Sequence, residues 1–413
     1  MEALAVADSG DGAHPGASVI SSISSLTNTI IGAGMLALPH AFASMGWLLG
    51  GAMVALCAAL TQLGLHLVKL CEGKIGSPVA SFYEMTQHAM PAAVGYFNAA
   101  IALKCYGVMI SYLMISGHLM PHVVESIVRV LGFSTGDAGM LPAWLFSRAL
   151  WIVVFAAVLS SVCFSQSLYA LRAVGYVNMV AVAYLLAILL AFACSPAARS
   201  YLPPRDTVVA VRLSMDALRA FPIFVFAYTC AQNIIPLYNE LRDSTVKRAS
   251  LVSAVSIGAS AAVYLIVGLV GYATFGSSVD SNIIAMYPDV SLFVSIGKLS
   301  VIVLTLTSYP MQLFPCRAAL LDVVHADAAP DGLDADAGER SALVDHARDA
   351  RVRHHATGLW RTTTIALIVS STVIAMAVED LSLVLGIVGA IGSTTVSFIL
   401  PSLLYWYAAL RAI

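Results

Sequence analysis

The sequence predicts an all-α polytopic membrane protein of ten spans, in which a five-span unit recurs in inverted orientation and the first span of each unit is broken. Three observations carry this. Of 413 residues, 59% are hydrophobic and 11% are charged, whereas a soluble domain carries about 25% charge, so too little polar surface exists to face water. Ten apolar runs are each long enough to cross a hydrocarbon core of about 30 Å. The first and sixth of these hold residues that interrupt a helix near its middle. A net charge of −2 lacks the basic excess of a nucleic-acid partner; the expected surroundings are the lipid bilayer, with no nucleic acid.

The runs fall at 18–43, 46–70, 94–119, 145–164, 168–194, 214–240, 250–275, 290–316, 359–378 and 381–407. Residues 1–17 contain Glu2, Asp8 and Asp11 and no basic flank of the kind a cleavable leader has, and are expected to form a disordered cytosolic tail. The first five-span repeat then occupies 18–194, an outer loop 195–213, the second repeat 214–407, and a tail 408–413. Within the second repeat, 322–355 is first acidic and then basic with no apolar face, which predicts a disordered cytosolic loop between spans 8 and 9. Gly76 to Met90 carries Glu84 and His88 one turn apart and is expected to be a short interfacial helix. With both termini cytosolic, 13 Lys and Arg lie inside and 7 outside, leaving Lys104 within span 3, the distribution that the positive-inside rule requires. The seven cysteines sit in or at the ends of apolar runs without the paired spacing of a disulfide or zinc framework, so no metal centre and no organic cofactor are expected.

Span 1 carries Thr27, Asn28 and Thr29, then Gly32 and Gly34, then Pro39; span 6 carries Tyr228, Thr229, Gln232 and Asn233 between Pro222 and Pro236. Glycine costs a helix about 1 kcal/mol relative to alanine, and in hydrocarbon every freed backbone group must find a protein partner. Span 6 follows span 1 by five crossings, an odd number, so the second unit enters the membrane from the opposite side. Matching broken helices in two inverted units point to a transport site at mid-membrane. There, half-helix N-termini offer amides to an anionic group and half-helix C-termini offer carbonyls to a cation. A zwitterionic amino acid suits such a site. Gly46 and Gly50 are spaced as a helix-packing pair.

Asn28-Thr-Ile-Ile-Gly-Ala-Gly-Met-Leu-Ala-Leu-Pro39, Phe226-Ala-Tyr-Thr-Cys-Ala-Gln-Asn233 with Tyr238-Asn-Glu-Leu-Arg242, and Gly389-Ala-Ile-Gly-Ser-Thr-Thr-Val-Ser-Phe-Ile-Leu-Pro401 together resemble the amino acid/auxin permease family. The likeness extends over all ten spans and is nearest to vacuolar amino acid transporters and sodium-coupled neutral amino acid transporters. It implies the LeuT-type fold, with substrate held where spans 1 and 6 unwind and ions between spans 1 and 8. Carried over, the substrate-binding residues are Ile31, Gly32, Ala33, Gly34, Phe226, Tyr228 and Thr229, with Phe226 and Tyr228 flanking the substrate side chain. The ion-binding residues are Asn28, Ile31, Thr307 and Ser308. Family members usually have eleven spans where ten are read here, and close relatives often have histidine where Ala231 stands. The coupling ion is therefore proton or sodium.

Lys104 falls in the middle of span 3 or snorkels from its end, and Tyr106 and Tyr112 of that span either cap a substrate cavity or pack. His118, His122 and Glu125 have a helical spacing compatible with metal ligation or with a surface cluster. No hydrolase, zinc-protease or phosphate-loop motif occurs, so no enzyme is expected. The leading expectation is a secondary active transporter of amino acids, neutral ones by resemblance, in a vacuolar/lysosomal-type or plasma membrane. The alternative is an amino acid sensor with little net transport that signals through cytosolic segments.

Overall fold

The computed structural model describes residues 17–75, 82–130, 142–164, 174–202, 206–288, 292–326 and 342–411. The chain begins with α1 (Val19–Ile30), a tight 3-10 turn at Ala33–Ala37, and α2 (Leu38–Met45). The long α3 (Trp47–Ile75), the short α4 (Phe82–Ala89) and α5 (Val94–Val130) follow. Then come α6 (Arg148–Cys163), α7 (Val174–Cys194) and the single turn α8 (Pro196–Arg199). The second half comprises α9 (Met215–Ala227), α10 (Ile234–Glu240), α11 (Val246–Phe275), α12 (Leu292–Ala326) and α13 (Ala342–Ala377). It closes with α14 (Leu381–Ile387), π-helical turns at Val388–Ser393 and Thr395–Ile399, and α15 (Leu400–Arg411). Among the described residues eight helices are long and apolar enough to cross a membrane, and α1 with α2, bent by 47°, forms a ninth as one broken span. The chain is a multi-pass membrane protein.

The sequence marks the helix starts by side chains that accept from otherwise unpaired amides. Ser18 accepts from the Ser21 N–H at 3.2 Å, Ser214 from Ala217 at 3.3 Å, Thr245 from Arg248 at 3.3 Å and Asp380 from Ser382 at 2.9 Å. Pro39 occupies the first turn of α2, where its missing N–H costs nothing. At the centre α5 is the most deeply buried of the long helices, because α6, α12, α13 and α14 surround it. Its small residues allow this: a Cβ on Gly107 would lie 2.0 Å from a Val388 methyl, and one on Gly117 2.3 Å from Ile152. A hydrogen bond of 2.8 Å between Ser116 and Thr305 ties α5 to α12. Val158, Val180 and Ile365 point outward, as lipid contact requires.

Two expectations are revised. The run at 145–164 gives α6 of 16 residues, about 24 Å at 1.5 Å per residue, short of the hydrocarbon thickness. The stretch 322–355 is not a loop throughout, since α12 continues to Ala326 and α13 starts at Ala342; an i→i−4 ladder satisfies this backbone without an apolar face. Residues 327–341 and the expected tail at 1–16 lie outside the described residues. The helix expected between Gly76 and Met90 is found as α4 from Phe82.

One irregular segment, 206–212, holds two turns together. Its Val209 and Ala210 carbonyls accept from Trp47 and Leu48, its Arg212 N–H donates to Met45, and the Tyr272 hydroxyl accepts from the Val209 N–H. Asp206 accepts from the Ser277 hydroxyl and the Thr207 N–H, which hold its carboxyl below the usual range. The segment approaches so closely that a Cβ on Gly46 would lie 2.5 Å from the Ala210 oxygen, and one on Gly276 2.5 Å from the Asp206 oxygen. Both glycines also have positive φ, +89° and +67°, a region that other residues enter at a cost of about 1–3 kcal/mol. Gly46→Ala and Gly276→Ala should each lower the melting temperature of the detergent-purified protein and its abundance in the membrane; Gly73→Ala, where a Cβ meets nothing within 4 Å, should change neither.

Candidate functional site

The helix α1 ends at Ile30, and Ile31 turns into extended backbone (φ −76°, ψ 91°) while its N–H still bonds to Thr27. Gly32 is extended as well, and the chain re-enters helical structure at Ala33. In the second half α9 ends at Ala227, Tyr228 to Cys230 are irregular, and a 3-10 turn at Ala231–Asn233 leads into α10. The two breaks touch. A Cβ on Gly34 would lie 3.1 Å from both the Phe226 ring and the Ala227 Cα, so this glycine is where one broken helix crosses the other. Gly32 differs: a Cβ there would meet only the Tyr112 hydroxyl, at 3.9 Å. It is the open side of the break, facing α5.

Around these breaks the Thr27 hydroxyl, the Asn28 Oδ1, the Tyr228 hydroxyl and the Gln232 Oε1 are buried without a hydrogen-bond partner in the protein. Buried polar atoms are seldom left so, and here four gather at two unwound segments. Tyr228 packs edge-on against Tyr264 of α11 with ring centres 5.1 Å apart, and the Thr229 hydroxyl turns back to the Val225 carbonyl at 3.2 Å. Of the expected substrate residues, Ile31, Gly32, Ala33 and Gly34 form the first break, Phe226 touches it at Gly34, and Tyr228 and Thr229 form the second.

Of the expected ion residues, Thr307 and Ser308 bond to α7 and Asn28 lies beside it. Asn178 of α7 donates to the Ser308 hydroxyl at 3.3 Å and accepts from Thr307 at 3.4 Å; Thr307 also donates to the Val303 carbonyl at 2.7 Å. One turn earlier on α7, a Cβ on Gly175 would lie 3.3 Å from the Asn28 Nδ2. Asn178 is thus the link that the reading of spans 1 and 8 missed, although an amide in an apolar run is itself a signal. Tyr112 lies beside Ser308 and Gln312, and the Lys104 ammonium donates to Gln312 Oε1 at 3.3 Å. At 2% exposure, Lys104 is in the protein interior and does not snorkel. His118 and His122 stack edge-on, while Glu125 pairs with Arg129 at 2.9 Å; among the described residues no group of three metal-ligating side chains forms.

A cavity of about 850 Å³ opens on the face of segment 206–212, between α2, the start of α9 and α14, lined by His40, Arg212, Asp216, Ile223, Asp380 and Ala390. Phe226 lies one turn of α9 beyond Ile223. The opposite face is shut. There Ala17 pairs with Leu241 as an isolated β-bridge, its N–H 2.7 Å from the Glu240 carbonyl and its carbonyl 3.1 Å from the Arg242 N–H. Lys69 reinforces the closure, bonded to Glu72 and Ser244 and lying 5.4 Å from the Tyr238 ring centre.

The family model of transmembrane amino acid transporter proteins matches residues 15–412. The chain belongs to this family. Its relatives include vacuolar amino acid transporter 5 of Schizosaccharomyces pombe, 32% identical over 95% of this chain and 84% of the relative. Vacuolar amino acid transporters 5 and 6 of Saccharomyces cerevisiae are each 31% identical, covering 93% and 94% of this chain and 87% and 89% of their own lengths. The resemblance read from the three motifs is borne out, and the family is one of transporters, not enzymes.

The two glycines of the first break are distinguishable by experiment in this family member. Gly32→Ala should leave abundance unchanged and raise the substrate concentration for half-maximal binding, because its Cβ enters open space beside Tyr112. Gly34→Leu should abolish binding; Gly34→Ala should lower abundance, because its contacts at 3.1 Å force the Phe226 ring aside at a cost of about 1–3 kcal/mol. Equal effects of the two alanine variants on binding and abundance would remove the distinction.

Proposed function

We propose that the protein is a secondary active transporter that moves amino acids, with neutral ones as the first candidates, across a vacuolar or lysosomal-type membrane by alternating access. The observation that carries the proposal is the meeting of two broken helices, with Gly34 against Phe226 and Ala227, in a chain of the transmembrane amino acid transporter family. The relatives named as vacuolar amino acid transporters support both the substrate class and the membrane.

In this scheme α6 counts as a short tenth span, and the chain is a five-plus-five inverted repeat of the LeuT type. The substrate carboxylate is held by amides at Gly32 to Gly34, at the start of the second half of the broken helix, where the helix dipole favours an anion. The ammonium faces carbonyls at the ends of α1 and α9 other than those of Ile30 and Ala227, which the Tyr264 hydroxyl already bonds. The cavity bounded by His40 and Asp380 is the outward route, by the positive-inside assignment of the termini to the cytosol. The bridge between Ala17 and Leu241 closes the cytosolic route and must part for release. Asn28, Ile31, Thr307 and Ser308 supply the coupling site, now with Asn178 between them; its hydroxyl, amide and carbonyl oxygens suit sodium. Proton coupling needs a titratable group, and with Ala231 in place of histidine the groups available are His40 and Lys104.

The test is uptake of each of the twenty amino acids into proteoliposomes under separately imposed proton and sodium gradients. Accumulation driven by either gradient is expected. Saturable binding with no net flux would overturn the proposal in favour of a sensor. Asn28→Ala and Thr307→Ala should each reduce gradient-driven uptake more than equilibrium binding of the same amino acid. If Thr307→Ala combined with Ser308→Ala leaves the ion dependence unchanged, coupling lies elsewhere.

A further inference from the structure

Tyr264 lies in the middle of α11 and is fully buried. Its hydroxyl oxygen is 2.7 Å from the carbonyl oxygen of Ile30 and 2.7 Å from that of Ala227. Ile30 is the last residue of α1 and Ala227 the last of α9, so one phenol reaches the C-terminal ends of the leading halves of both broken helices. Each such end has carbonyls without an intrahelical partner and carries about half a negative charge. Two of them aimed at one point repel each other, and in an interior without water each would leave an unpaired acceptor. The point needs a positive group. Here the O–H of Tyr264 provides it, one proton shared between two carbonyls.

The surroundings fix the phenol in place. The Tyr228 ring packs edge-on against the Tyr264 ring, so the irregular residue after Ala227 locks the side chain that bonds Ala227. Just beyond, Gly34 meets Phe226 and Ala227, so the hydroxyl sits at the root of the crossing between the two breaks. From α11 only a long side chain reaches that root; serine or threonine ends several ångströms short. Since the proton can serve either carbonyl, one half-helix stays bonded while the other tilts.

We propose that the Tyr264 hydroxyl is the joint between the two broken helices, filling the place that a monovalent cation would otherwise take between their carbonyl ends, and that Tyr264 is thereby a positioning residue of the transport site. This rests on the proposed transport function only for its effect on substrate. The joint itself is a property of the two carbonyls and the phenol.

Tyr264→Phe removes the O–H and keeps the ring. In proteoliposomes of the full chain, the KM for an amino acid that the wild type carries should rise about tenfold, the consequence of two buried carbonyls losing the donor they share, with a smaller change in maximal rate. Exchanging choline chloride for sodium chloride should restore the variant's KM toward the wild-type value, by more than the same exchange shifts the wild type, because two facing carbonyls freed of the phenol accept a cation. The melting temperature of the purified protein gives a readout independent of transport: sodium should raise that of Tyr264→Phe more than that of the wild type. A wild type that carries no amino acid defeats the transport proposal and leaves the melting comparison to judge the joint. Identical KM, melting temperature and sodium response in variant and wild type overturn the joint. Should Tyr264→Phe not accumulate in the membrane, Tyr264→Lys, whose ammonium has nearly the reach of the phenol oxygen and carries N–H donors, decides: abundance above that of Tyr264→Phe supports the joint, and abundance no higher than that of Tyr264→Phe overturns it.

Discussion

A backbone amide or carbonyl that leaves its helix inside a bilayer has no water to turn to, and the cost of several kcal/mol for each unpaired group governs how this chain is built. Two helices give up regular structure at mid-length, at Ile31–Gly32 and at Tyr228–Cys230. Such interruptions persist only where the protein covers them, and the cover is local and specific. Tyr264 meets both carbonyl ends, and Phe226 with Ala227 closes against Gly34. On the other side of the first break, a Cβ on Gly32 would meet only the Tyr112 hydroxyl, at 3.9 Å.

The rest of the bundle supports those two breaks. α5 and α12 pack against each other along the centre and are tied by Ser116 and Thr305. From that pair the Tyr112 hydroxyl lies toward Gly32 and beside Ser308 and Gln312, and Lys104 is bonded to Gln312. The last transmembrane segment approaches the same region through Gly389 and Gly392, whose Cβ atoms would collide with the Pro222 carbonyl and the Lys104 Cβ at 2.0 and 2.6 Å. That close approach coincides with its π-helical turns, a geometry that recurs at functional sites.

The two faces of the molecule differ in a way that defines its state. One holds a cavity of about 850 Å³ reaching to one turn from Phe226; the other is sealed by a two-residue β-bridge and a buried Lys69. The seal consists of backbone hydrogen bonds between the entry of the first broken helix and the exit of the second, so it joins the same two elements that Tyr264 joins at mid-depth.

Most of the architecture was legible because membrane spans announce themselves in composition. The positions of nine apolar runs follow from hydropathy alone, and the breaks from glycine and proline in a context that forbids unpaired backbone. The 16-residue α6 and the helical backbone over 322–326 and 342–355 escaped because length and charge do not report hydrogen-bonding. At the candidate site, residues adjacent along the chain were found: Ile31 to Gly34 and Phe226 carry their signal in their own segment. What only the tertiary structure decided is which distant side chains complete it. Tyr264 and Asn178 are single polar residues in apolar helices, and nothing in their neighbours says that one reaches Ile30 and Ala227 or that the other stands between Thr307 and the helix of Asn28. Likewise Tyr228 packs edge-on against the distant Tyr264, and Gly32 and Gly34, alike in sequence, divide into an open position and a helix crossing. The physical reason is the same in each case: composition and periodicity are properties of one segment, whereas the partner of a freed carbonyl is set by how two helices lie across a third.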